Sequence, residues 1–287
     1  MKNKFILSHR GQEPEPSTLY LVGTPIGNLN DISSRALNIL KNVSLIACED
    51  TRQTKKIMSK FQISNNLISL NKHNSLTKTP KIIDFIKSGK SIALVSDAGM
   101  PGICDPGEDV VKAVKSEGFD VICIPGACAP ITALVSSGMP SSSFTFEGFL
   151  PKKKIDREKI IQEISKSEKT TIFFESPHRL KKLLKELHEF CGEDREIIVA
   201  RELTKKYEEH VGNNIKEVMK FFEKKEILGE ITIVLKGIDK KINLEFNESE
   251  LKKEISELMN AGISLSAASK YLSKKKGIKK NLLYNMY

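Results

Sequence analysis

From Thr18 onward, short runs of consecutive apolar residues alternate with longer stretches in which apolar positions recur every three or four residues. Runs such as IALV and VICI carry no polar alternation, which suits strands of a sheet covered on both faces. The pattern predicts strands over 18–22, 43–48, 67–70, 91–96 and 119–124, with helices over 32–41, 51–60, 77–88 and 107–117 between them. Beyond Pro125-Gly126 it restarts, with strands over 144–147, 170–175, 196–200 and 231–236 and helices over 155–167, 177–189 and 214–224. Amphipathic helices over 248–260 and 265–274 follow, stopped by Gly262 and Gly277. The expected fold class is α/β: two consecutive α/β domains over 17–126 and 127–240, then a small helical, basic C-terminal extension over 241–287.

Composition narrows the class. With 39% hydrophobic and 29% charged residues over 287 positions, the chain is neither disordered nor fibrous. Its five cysteines are odd in number and form no C-x-x-C pair, as expected of reduced cytoplasmic thiols and not of a disulfide framework or zinc site. The N-terminal string MKNKFILSHRGQEPEPS has only a three-residue apolar run, too short for a signal peptide. No window approaches the roughly 18 apolar residues of a membrane span, so no membrane association is expected. The net charge is +10, and six lysines fall between Lys270 and Lys280 with no acid among them. Lys152, Lys153 and Lys154 form a second cluster after Pro151. Such clusters attract phosphates through counterion release, although solvated helix faces carry the same pattern. Zero Trp and 6% aromatics leave few stacking platforms for bases.

Candidate chemistry sits where strands end. GTPIGNL (23–29) follows the first strand, and its two Gly and one Pro make a turn whose backbone N–H groups a ligand could reach. It is neither G-x-G-x-x-G nor a Walker A sequence, and an ordinary strand-to-helix turn reads the same way. SDAGMPGICDPG (96–107) packs three Gly, two Pro and two Asp into twelve residues, too much special backbone for a plain connection. Asp97 there could accept from a ligand ammonium or hydroxyl. IPGACAPITAL places small residues after a strand end, leaving room for a flat ring or a methyl-bearing sulfur, or simply starting a helix. ACEDTR, FFESPHR and ARELTKKYEEH each put charge directly after an apolar strand. No G-x-S-x-G elbow supports a Ser/His/Asp triad, and the five histidines lack metal spacing.

Taken in order, GTPIGNL, EDTR, SDAGMPGICDPG, PGACA, FEGFLPKK, FFESPHR and ARELTKKYEEH resemble the tetrapyrrole-methylase superfamily, and more narrowly its ribosomal RNA small-subunit methyltransferase I branch. The likeness runs from Thr18 to Gly237, and the Lys-rich tail is similar to that branch's C-terminal extension. The resemblance implies S-adenosylmethionine bound in a cleft between the two α/β domains of a cytoplasmic homodimer. It implies 2′-O-methylation of a cytidine ribose in 16S ribosomal RNA, free or within the small subunit. By position it implies Gly23, Pro25, Asp97, Ala98, Gly99, Cys128, Ala129, Phe174 and Leu203 at the cofactor. Where the branch usually has Pro-Ser after Pro-Gly, this chain has Ala127-Cys128, which removes a hydroxyl. Glu49, Asp50 and Glu202, unranked, are candidates for removing the ribose proton. Arg52, Lys152, Lys153, His178, Arg179 and the tail's Lys274, Lys275 and Lys276 are candidates for RNA phosphates. Two alternatives share some of these features: a tetrapyrrole methyltransferase of the same fold acting on a small molecule, and a non-catalytic nucleic-acid-binding protein with a helix-turn-helix-like tail.

Overall fold

A computed structural model describes residues 13–239, 248–276 and 280–287. The signal-peptide reading of the first residues, the Gly277 stop and the side chains of Lys274 and Lys276 lie outside the described residues. The chain divides into two compact units: both sheets lie in the first, which runs to Lys236, and Gly237–Tyr287 belong to the second.

The first half alternates strand and helix as the apolar pattern requires. β1 (Thr18–Val22), α1 (Ser34–Asn42), β2 (Leu45–Cys48), α2 (Thr51–Lys60), β3 (Leu67–Ser69), α3 (Ser75–Lys87), β4 (Ile92–Val95), α4 (Glu108–Ser116) and β5 (Asp120–Ile124) follow one another. The five strands form a parallel sheet in the order β3-β2-β4-β1-β5. Alternate residues of each strand enter different cores. Tyr20, Ile46, Ala93 and Val95 pack with α1 and α2 residues Ile39, Leu40 and Met58. Leu19, Ile92 and Leu94 pack on the other face with Ile82 and Ile86 of α3 and Val110 and Val114 of α4. Both faces are therefore apolar, which is why these strands read as unbroken hydrophobic runs.

The second half contains α5 (Ala129–Ser137), β6 (Phe144–Phe149), α6 (Lys154–Ser165), β7 (Thr170–Glu175), α7 (Pro177–Cys191), β8 (Glu196–Arg201), β9 (Glu209–Asn214), α8 (Ile215–Phe222) and β10 (Ile231–Leu235). Its sheet is mixed, in the order β6-β7-β10-β8-β9: β6 and β7 are parallel, and β10 runs antiparallel to both β7 and β8. One face packs on α6, α7 and α8 through Ile161, Leu180, Leu184, Val218 and Phe222. The other receives α5 (Ala133, Leu134) and Ile26 from the loop after β1, against Ile172, Ala200, Leu203 and Val234. That core is what joins the two sheets.

The C-terminal unit has α9 (Glu248–Asn260), α10 (Leu265–Lys276) and α11 (Lys280–Met286) around Leu251, Ile255, Leu272 and Leu283. Three elements escaped the hydrophobic pattern. α5 leaves Ile131 and Val135 exposed while burying Ala133 and Leu134, so it has no polar stripe. β9 is an edge strand of sequence EHVGNN whose buried apolar residue is Val211. α11 has only seven residues.

Candidate active site

The chain leaves β1 toward the α1 face and leaves its neighbour β4 toward the α4 face. Divergence of adjacent strand exits opens a crevice at the carboxyl ends, the usual ligand position in open α/β sheets. Backbone contacts fix its floor. The Thr24 N–H donates to the Gly99 carbonyl at 2.9 Å and the Gly99 N–H donates back at 3.1 Å, tying the loop after β1 to the loop after β4. Gly99 has φ +78, a conformation that glycine adopts without a Cβ penalty. The Gly23 N–H donates to the Ile124 carbonyl at 3.1 Å, and a Cβ on Gly126 would sit 2.7 Å from the Gly23 Cα. Three strand-end loops are thus held back to back.

Above this floor lies a cavity of about 360 Å³. Ile26, Ala98, Gly99, Met100 and Ile103–Asp105 form its wall on the first-sheet side, with Cys128–Pro130 at the start of α5. Phe149, Phe174, Glu175–Pro177 and Gly229–Thr232 close it from the second sheet. The lining is mainly apolar, with Asp105, Glu175 and Glu230 as its carboxylates. Small-molecule sites have this character and begin at about 300 Å³.

Of the residues singled out from the sequence, Ala98, Gly99, Cys128, Ala129 and Phe174 line this one cavity. Gly23 and Pro25 are buried in the supporting loop, and Leu203 packs in the core with Ile26 and Leu134. The Asp97 carboxylate accepts the Asp50 N–H at 2.9 Å. Cys128 is the N-cap of α5 and makes no side-chain cap bond. The missing hydroxyl therefore leaves a first-turn N–H without its usual acceptor.

The three candidate proton acceptors have different surroundings. Burial, then the charges of Asp105 and Asp97, raise the Glu49 carboxyl above its ordinary range, with Lys72 opposing. Hydrogen bonds from the Arg52 side chain and N–H lower Asp50, which caps α2. Glu202, at φ +54, is partly buried, which by itself raises its carboxyl. Hydrogen bonds from the Lys205 ammonium and the Glu230 N–H, both 2.9 Å, outweigh this and hold it below the usual range. Asp105, within the quoted SDAGMPGICDPG string but not singled out, lies in the cavity wall with its carboxyl raised by burial and by Asp97. Its Asp-Pro-Gly context was the available signal. Gly229–Thr232 offered none, because nothing local announces that β10 starts at a cavity.

Among the basic candidates, Lys152, Lys153 and His178 are exposed. Arg52 is exposed and paired with Asp50 at 2.6 Å. Arg179 is half-buried and donates to Glu175 and to the Leu150 carbonyl, both at 2.8 Å. Lys275, in the other unit, is exposed, its ammonium 5.9 Å from the Tyr271 ring centroid. Among the described residues no His, Cys, Asp or Glu cluster could hold a metal ion, and no helix is long and apolar enough to cross a membrane.

Comparison with known proteins places this geometry. The family described as Tetrapyrrole (Corrin/Porphyrin) Methylases matches residues 18–219. The Ribosomal RNA small subunit methyltransferase I of Halalkalibacterium halodurans is 40% identical over 279 residues, covering 96% of each chain. That of Bacillus subtilis is 42% identical over 94% of this chain and 93% of the relative. That of Thermotoga maritima is 46% identical over 76% of this chain and 98% of its own length. A solved cobalt precorrin-4 methyltransferase of cobalamin biosynthesis superposes with a TM-score of 0.59 at 18% identity, over 77% of this chain and 95% of that one. A uroporphyrin-III C-methyltransferase from Thermus thermophilus, complexed with S-adenosylhomocysteine, gives 0.54 at 15% identity, over 76% and 97%. The chain, with its two sheets meeting over a glycine-floored cavity, therefore belongs to the tetrapyrrole methylases and, within them, to the ribosomal RNA small subunit methyltransferase I family.

Proposed function

We propose that this protein methylates the ribose 2′-hydroxyl of a cytidine in 16S ribosomal RNA, using S-adenosylmethionine and acting in the cytoplasm as a homodimer. The observation that carries the reading is the cavity at the β1/β4 crevice in a chain of this family. Its lining fits the cofactor: small residues Ala98, Gly99 and Ala129 admit a bulky ligand to the backbone, and the apolar wall suits a purine ring and a methyl-bearing sulfur. When bound, S-adenosylmethionine supplies an already activated methyl group. The protein's part is then to align the acceptor oxygen and exclude water. Ala98, Gly99, Cys128, Ala129 and Phe174 hold the cofactor directly, whereas Gly23, Pro25, Asp97 and Leu203 set the loops that carry them.

A ribose hydroxyl must lose its proton as the new bond forms, and a carboxylate with a raised pKa takes it more readily than one held ionised by partners. Asp105 accepts the proton on its carboxylate, whose proton affinity is raised first by burial and then by the charge of Asp97. Asp50 and Glu202, each engaged by a basic neighbour, serve structure instead. Lys152, Lys153, His178 and Arg52 face solvent and take RNA phosphates, assisted by the tail's Lys274, Lys275 and Lys276.

The test supplies the purified chain with labelled S-adenosylmethionine and small ribosomal subunits, or their RNA, from cells lacking the modification. Label in a nuclease-resistant 2′-O-methyl dinucleotide is the expected result. Label confined to a base, or transferred only to a tetrapyrrole, overturns the assignment.

A further inference from the structure

The β6 strand carries an irregularity beside the cavity. Phe144, Thr145 and Phe146 pair in register with Thr170, Thr171 and Ile172, but the next pair is Phe149 with Phe174. Three steps along β6 thus match two along β7, a bulge made possible by Gly148 at φ +62. In a plain strand residues 146 and 149 would face opposite sides. Here both rings meet Phe174, at centroid distances of 5.1 and 5.4 Å. The bulge has re-aimed Phe149 into the cavity wall, where 58% of it stays exposed.

The segment after it is clamped. Arg179 donates to the Leu150 carbonyl at 2.8 Å, and Arg157 donates to the carbonyls of Pro151 and Lys152 at 3.2 and 2.9 Å. Arg157 is 4% exposed and makes a two-pronged pair with Glu186 at 2.8 and 2.6 Å, while Arg179 is held by Glu175. Three consecutive carbonyls are bound by two paired guanidiniums. A buried pair adds little net stability compared with apolar packing, so its product here is position. What it positions is an exposed aromatic ring followed by exposed Lys152 and Lys153.

We propose that Phe149 is the platform on which the acceptor nucleobase stacks, with Arg157 and Arg179 as positioning residues that hold it at the cavity. This rests on the RNA reading above. A nucleotide whose ribose enters an enclosed site must leave its own stack, and an aromatic face replaces the lost stacking without reading sequence. The adjacent lysines take the flanking phosphates.

Kinetics on small-subunit RNA test this, alongside calorimetry with S-adenosylmethionine. Phe149→Ala and Phe149→Leu should each raise the KM for RNA about tenfold, the loss of one base–aromatic stack. Phe149→Trp should preserve it, and in all three the change in cofactor affinity should be smaller than the change in the KM for RNA. Arg157→Lys keeps the charge but not the fork, so it should raise the same KM. Adding Phe149→Ala to it should cost less than the product of the two single effects. Full activity of Phe149→Leu, an equal loss of cofactor affinity, or multiplicative penalties would overturn the platform. An inactive parent protein would instead refute the RNA reading itself, and so the two failures are distinguishable.

Discussion

Gly126→Ala probes the floor of the site with a single methyl group. The new Cβ would lie 2.7 Å from the Gly23 Cα, 2.8 Å from its carbonyl carbon and 2.9 Å from its oxygen. Carbon atoms in contact prefer at least about 3.5 Å, so the two loops must separate by about 0.8 Å (3.5 − 2.7). Neither partner is a flexible side chain, and close-packed interiors resist such movement. Overpacking of this kind costs about 1–3 kcal/mol. Replacing glycine recovers about 0.4–1 kcal/mol from the unfolded chain, because Gly126 is outside the left-handed region. The net loss is about 1–2 kcal/mol. Displacement of Gly23 passes through the Thr24–Gly99 bridge to Gly99 and Met100, which wall the cavity. A misplacement approaching 1 Å lowers turnover by about 100-fold. Urea unfolding and methyl transfer measured side by side check both numbers. Gly89→Ala is the control: at φ +86 with nothing within 4 Å of the added Cβ, it should lose about 1–2 kcal/mol to backbone strain and leave turnover intact. Gly126→Ala with parental turnover would refute the claim that the back-to-back loops set the site.

Other perturbations act on separate features. Arg157→Met strands the buried Glu186 carboxylate and should cost about 3–5 kcal/mol, much of it recovered in Arg157→Met/Glu186→Leu; equal unfolding midpoints for parent and single variant would contradict this. Because burial raises the Asp105 carboxyl, the folded protein binds that proton more tightly than the unfolded chain. Its penalty on stability therefore grows as pH rises from about 3.9 to the raised value and is fully present above it. Asp105→Asn should be more stable than the parent at pH 8, with the advantage vanishing in acid, yet slower in methyl transfer; thermal unfolding across pH and a rate assay test both signs. Cys128→Ser restores the absent α5 cap and should raise stability by about 1 kcal/mol, read as a higher unfolding midpoint.

Much of this protein was legible as sequence. Local chemistry determined that β1, β4 and β7 are doubly covered strands, because period and β-branching act within a few residues. The turn-rich strings after β1, β4 and β5 also marked the end of the first sheet where the cavity lies, since Gly, Pro and Asp serve special backbone wherever they occur. The ordered strings implied the family, and the family is what the comparisons found. The resemblance implied Ala98, Gly99, Cys128, Ala129 and Phe174 at one ligand, and in the structure all five line the same cavity.

Only the tertiary structure decided the rest. The strand order β6-β7-β10-β8-β9 and the polar edge strand β9 depend on pairings between distant residues. Which of four carboxylates is raised depends on what packs around it: Glu49 and Asp105 are raised by burial, whereas Asp50 and Glu202 are held down by hydrogen bonds from Arg52 and from Lys205 and the Glu230 N–H. Arg179 looked like a phosphate ligand among basic neighbours, and it proved to be half-buried with a carboxylate and a carbonyl. Composition with 6% aromatics suggested few stacking surfaces, yet one bulge turned Phe149 into the cavity wall. Propensity and periodicity are properties of neighbours along the chain, whereas burial, pairing and field are properties of neighbours in space.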